Sequence, residues 1–131
     1  MTRRMVLAAA GGVLFGAVSL AGHHAASTAY DVDKKITLRG TVTRVEWQNP
    51  HVFYYLDVKD DSGRVTNWAI ESSTPNQLYR RGWRKDDLKI GEEVTLADSS
   101  PARNGSTRAY GGTLTLASGR KVFSGSAATD Q

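Results

Sequence analysis

In ITLRGTVTRVEW, residues 36–47, the apolar side chains hold one parity and then leave it. Ile36, Leu38 and Val42 alternate with polar neighbours, Gly40 falls in their register, and the set then moves to Val45 and Trp47. Successive side chains of a strand point to opposite faces, so a change of parity partway means that one extra residue has been taken up. That is a β-bulge, placed here near Thr43 and Arg44. A strand bent by a bulge can pair on both of its sides, which is how a small sheet closes on itself.

The segments that follow supply the partners. After a turn at QNP, where Pro50 holds Asn49 extended, HVFYYLDV sorts into two alternating sets: Val52, Tyr54, Leu56 and Val58 against His51, Phe53, Tyr55 and Asp57. The first set is the core candidate. DDSG closes a hairpin into RVTNWAIE, in which Trp68 and Ile70 share a face. STPNQLYRRGWRKDDL then reads as one short helix, with Ser73 or Thr74 as N-cap, Pro75 first, Leu78 and Tyr79 on one side and Gly82 as the stop. KIGEEVTLAD gives a fourth strand around Val94 and Leu96. SSPARNGSTRAYGG reads as a flexible loop, and a fifth strand falls at Thr113 to Leu116, followed by a short closing segment at Val122 and Phe123.

Three strands, a helix and two strands, with the first strand bulged, predict an all-β fold: a small five-stranded OB-like barrel with one short helix between strands 3 and 4. An open antiparallel sheet packed by the helix is the competing arrangement. At 131 residues the chain builds one core. The expected organisation is a signal peptide at 1–21, an extended lead-in at 22–35, the barrel at 36–125 and a disordered tail at 126–131.

The leader is read from MTRRMVLAAAGGVLFGAVSLA: two arginines, an uncharged run from Met5, and small residues at Ser19 and Ala21. Gly11, Gly12, Gly16 and many alanines dilute the run below what a membrane span needs. Thr2 to Leu7 also resembles a twin-arginine signal, with Val6 where an aromatic is usual and Ala8 where a lysine is; ordinary Sec export serves as well. A periplasmic or secreted bacterial protein is expected, with no stable membrane anchor after cleavage. Losing Arg3 and Arg4 halves the formal charge of +4, which leaves little support for a nucleic-acid partner. The chain has no Cys, and both methionines, Met1 and Met5, leave with the leader. Thiolate zinc sites, iron–sulfur clusters, cysteine-attached haem and Met-rich Cu(I) sites are thereby excluded.

The chain's three histidines are His23, His24 and His51. Cleavage after Ala21 would start the mature chain Gly22-His23-His24, where an amine, two deprotonated amides and the His24 imidazole suit square-planar Cu(II) or Ni(II). Cleavage after Gly22 would put His23 first, its amine and ring chelating one ion while another histidine completes a T-shaped site. His51 is the natural third ligand if the lead-in folds back, with Asp31, Asp33, Glu46 and Asp57 as carboxylates that could join. The competing reading is solvated terminal histidines and a His51 that merely serves the turn beside Pro50.

Two further groups are candidates for a ligand or a partner. In YRRGWRKDD, Arg80, Arg81, Arg84 and Lys85 surround Trp83, which suits a phosphate-bearing lipid or glycan; alternatively it is a solvated helix end, with Trp83 packed on the barrel and Asp86 and Asp87 balancing the charge. The face bearing His51, Phe53 and Tyr55 is either a stacking platform or is covered by the lead-in around Tyr30. Enzyme signatures are lacking: there is no G-x-S-x-G, no phosphate-binding Gly loop and no H-E-x-x-H.

His23-His24, Gly40-Thr41-Val42, Trp47-Gln48-Asn49-Pro50-His51, Asn67-Trp68 and Leu78 to Trp83 together resemble a family of small exported bacterial proteins of unknown function, over about His23 to Gly125. The resemblance implies export and a small β domain and hands over no activity. The functional expectation is a non-enzymatic exported barrel that holds a divalent metal, Cu(II) first, through His23, His24 and His51. The alternative is a metal-free periplasmic module that recognises a small ligand or protein partner through Phe53, Tyr55, Arg80, Arg81, Trp83 and Arg84.

Overall fold

The structure, a computed structural model, describes residues 26–125. Residues 1–25, where a leader is expected and where His23 and His24 fall, and residues 126–131, expected as a tail, lie outside the described residues. The strands are β1 (Ile36–Glu46), β2 (Phe53–Lys59), β3 (Val65–Glu71), β4 (Glu93–Pro101), β5 (Arg108–Tyr110), β6 (Thr113–Thr115) and β7 (Lys121–Phe123), with one helix, α1 (Pro75–Arg80), between β3 and β4.

Pairing runs β1-β2-β3-β5-β4, and β4 returns to β1, so five strands close into a barrel. β3 and β5 are parallel and the other pairs antiparallel. The hairpin β6–β7 extends the sheet from β4. Closure depends on β1, whose first half pairs with β4 from Ile36 to Thr41 and whose second half pairs with β2 from Gly40 to Glu46. The bulge is where the sequence places it: Val42 faces Leu56 and Arg44 faces Tyr55, leaving Thr43 as the extra residue. A second shift lies on the β4 side, where Leu96 and Ser99 face Leu38 and Ile36. Asp98, in that extra length, has φ +58°, the left-handed conformation that Asp tolerates better than most residues. At Gly40, common to both pairings, a Cβ would stand 2.5 Å from the Asp57 carbonyl oxygen, so only glycine permits so close an approach of β2.

Two expectations are corrected. Residues 99–112 are not a flexible loop: β4 continues to Pro101, and Arg108–Tyr110 is the strand that closes the barrel, while Thr113–Thr115 belongs to the added hairpin. Ser99 and Ser100 are buried there, and the Ser99 hydroxyl donates to the Tyr110 carbonyl, so polar composition does not keep the segment in water. Nor is the described part of the lead-in extended throughout: residues 26–29 make a helical turn, and Tyr30 bridges to Ala102.

The core is built from the set the alternation selects, Val52 just before β2 and Tyr54 and Leu56 within it, with Ile70, Val94 and Leu96, all nearly inaccessible, joined by Leu78 of α1 and by Trp83, while Val58 is half-buried against it. Each such aliphatic side chain contributes about 1.5–3 kcal/mol by leaving water. The Tyr54 hydroxyl donates to Ser124, and burial raises its pKa, so it stays a neutral donor. Tyr79 departs from the expected shared side; it is exposed, while Leu78 is buried.

Helix α1 begins with Thr74, whose side chain accepts from the Gln77 N–H at 3.2 Å, and with Pro75 at the first position, where no N–H is needed. It ends at Gly82, φ +92°. Thr74→Ala should cost about 1 kcal/mol, measured as a lower urea midpoint with unchanged slope.

Candidate functional site

His51 lies in the β1–β2 loop, two residues before Phe53 opens β2. In the β2–β3 hairpin Phe53 faces Glu71. Residues directly opposite share a face of the sheet, and so do residues two apart along a strand. This register therefore puts the last residue of β3 within reach of the imidazole. His51 Nδ1 is 2.7 Å from Glu71 Oε1. A carboxylate only accepts, so Nδ1 carries the proton, and in the neutral form of the ring the lone pair is on Nε2. The imidazole is 40% exposed and Glu71 18%.

The second oxygen of the same carboxylate is taken from another direction. Tyr30 Oη donates to Glu71 Oε2 at 2.6 Å, and Arg108 of β5 stands 3.9 Å from it. Tyr30 is buried, with its ring stacked on Tyr110 at 5.5 Å between centroids. Burial first, and the bond to Glu71 second, push its pKa well above that of free tyrosine, so the hydroxyl remains a donor. One carboxylate thus ties the β1–β2 loop, β3 and the segment leading into β1.

The other candidates separate. Trp83, which the sequence leaves either as part of a ligand surface or as a ring packed on the barrel, is 0% exposed and belongs to the core, as the second reading has it. Arg81 donates to the Gly125 carbonyl and lies over the Phe123 ring. Arg84 lies 3.9 Å over the Tyr79 ring and donates to the Tyr79 and Trp83 carbonyls. Only Arg80 and Lys85 of that basic run extend into solvent without a role in closing the helix. The Arg-Arg-Gly-Trp motif is therefore a helix stop and a core plug.

Phe53 and Tyr55 are half-buried, and each ring is covered by a guanidinium, Arg108 at 5.8 Å and Arg44 at 3.9 Å. The Tyr30 ring stacks on Tyr110. Of the four carboxylates considered from sequence none meets His51: Asp31 pairs with Lys34, Glu46 with Arg44 and Tyr55, Asp57 with Asn67, and Asp33 is exposed. Glu71 and Arg108 were not singled out by the sequence; the hairpin register, counted back from DDSG, is the signal that points to Glu71.

Among the described residues no three His, Cys, Asp or Glu side chains cluster closely enough to hold a metal ion. No helix among them is long and apolar enough to cross a membrane. Beside Tyr30 and Glu71 opens a cleft of about 300 Å³, bounded by residues 28–30 and by the β4–β5 connection.

A closed five-stranded barrel with a helix between β3 and β4, and a histidine–carboxylate–tyrosine group across its β1–β2 loop, makes this a small OB-type β-barrel protein. The chain belongs to the Family of unknown function (DUF6152), matching it over residues 11–111, a span that contains every strand of the closed barrel. No curated protein and no solved structure matches the chain.

Proposed function

We propose that this is an exported, non-enzymatic metal-binding barrel. It takes one divalent ion, Cu(II) first, at His51, with His23 and His24 supplied by the segment that leads into β1. The observation that carries the reading is the Glu71 carboxylate, one oxygen on His51 Nδ1 and the other on Tyr30. A metal-ligating histidine characteristically gives its other ring nitrogen to a carboxylate, which fixes the tautomer and raises the basicity of the ligating nitrogen. Here Glu71 leaves Nε2 as the nitrogen for the ion. The same carboxylate anchors the lead-in at Tyr30, six residues after His24, and six extended residues reach at most ~20 Å. That tether supports a shared site.

The competing reading, an interaction module, has lost most of its parts, since Trp83 is core and Arg81, Arg84, Phe53 and Tyr55 are engaged within the fold.

The test is Cu(II) titration of protein recovered after export, its N-terminus read by intact mass, followed by electron paramagnetic resonance. One equivalent should give a nitrogen-ligand Cu(II) signal. Loss of that signal in both His51→Ala and His24→Ala identifies the shared site. Loss in His24→Ala alone identifies a terminal chelate and removes His51 from the site. A protein indifferent to copper, or one that starts downstream of His24, overturns the reading.

A further inference from the structure

We infer that the cleft between residues 28–30 and the β4–β5 connection is a binding site for a small organic carboxylate. Its volume of about 300 Å³ is at the low end for ligand cavities, which suits a small metabolite rather than a polymer. Two arginines line it, Arg103 and Arg108, against one acidic residue, Glu71. Glu71 has both oxygens committed, to His51 and to Tyr30, and Arg108 is 3.9 Å from the second of them. The lining therefore carries an excess of one positive charge, and no other acidic residue borders the cleft among the described residues.

Each arginine is held in place. Arg103 donates from Nε to the Ser27 carbonyl at 2.9 Å, and its own N–H donates to the Ala29 carbonyl. Arg108 opens β5, paired with Ala69 of β3 and lying over the Phe53 ring. A guanidinium is always charged, and its planar fork matches a carboxylate with two parallel hydrogen bonds. Ala29 and Ala102 add apolar residues to the lining, which favour an anion with an organic body over a bare oxyanion. The Tyr30 ring is fixed by its stack on Tyr110 and by its bond to Glu71, so little order has to be imposed when a ligand enters.

The site does not depend on the metal reading, and its test uses metal-stripped protein in buffer passed over chelating resin. Amide NMR shifts are followed while succinate is added, with inorganic phosphate as the comparator. Saturable shifts confined to residues 28–30, 71 and 102–110 are expected, with phosphate binding at least about tenfold more weakly. Arg103→Ala and Arg108→Ala should each weaken succinate about tenfold, the worth of one charge-assisted hydrogen bond. Arg108→Lys keeps the charge at Glu71 and the fold while removing the fork, and should also weaken it. The inference fails if succinate gives no saturable shifts, if phosphate binds as well, or if the well-folded Arg103→Ala and Arg108→Lys proteins bind like the parent.

Discussion

Trp83→Ala should lower the stability of the barrel by about 3–5 kcal/mol, read as a fall in the urea midpoint with little change in slope. The indole is 0% exposed and is the largest fully buried side chain among the described residues. It meets Trp47 at 6.5 Å and Tyr54 at 6.3 Å, both at tilted angles favourable for aromatic pairs. Its Nε1–H donates to the Phe123 carbonyl at 3.1 Å, tying the end of α1 to β7. Truncation removes the apolar area, leaves a cavity that rigid strands fill poorly, and strands a carbonyl of the added hairpin. Small domains have only about 5–15 kcal/mol in total, so the alanine variant is expected to be partly unfolded near physiological temperature. Trp83→Phe keeps an aromatic in the core and loses the indole N–H, and should fall between the two. A Trp83→Ala protein as stable as the parent would contradict the packing described for this residue.

The same residue shows where sequence reading succeeds and where it stops. The bulge at Thr43, the β2 core set and the Thr74–Pro75 helix start are local: each is written in parity, composition or capping chemistry over a few positions. Strand β5 is not. It has three residues, lies in a stretch rich in Ser and Gly, and owes its existence to pairing with neighbouring β4 and with β3, a partner distant in the chain. The basic run around Trp83 leaves two readings of that ring open, a ligand surface or a residue packed on the barrel, because charge patterning reports solvent contact for the arginines and says nothing of the ring between them.

Glu71 was hidden for a related reason. Carboxylates near the histidines in sequence drew attention, whereas this one is twenty residues from His51 and arrives through hairpin register, Phe53 against Glu71. The second half of the arrangement, Tyr30 on the other oxygen, joins positions 41 apart and follows no local rule. His51 itself was legible as a candidate, because a histidine directly after Asn49-Pro50 sits where a strand begins and a loop ends.

Glu71→Gln should separate the proposed copper chemistry from simple bracing. In the proposed site Glu71 does not touch the ion; it holds the imidazole so that Nε2 presents its lone pair. Loss of such a partner commonly costs 10–100-fold in metal affinity, so the Cu(II) dissociation constant should rise by about that much. The glutamine carbonyl can still accept from Tyr30, but its NH₂ cannot accept the Nδ1 proton, and the tautomer is no longer fixed. Glu71→Ala goes further, leaving Tyr30 Oη and His51 Nδ1 without their acceptor, and should cost about 1–3 kcal/mol in stability as well. The discriminating result lies in the glutamine variant. A near-parental melting temperature together with weakened copper and an altered resonance spectrum makes Glu71 a positioning residue for His51. Full copper affinity with a lowered melting temperature would reduce the carboxylate to a clamp on the lead-in. The argument for His51 as a ligand would go with it, because the orientation of its ring is the one structural reason to prefer it over any solvated histidine.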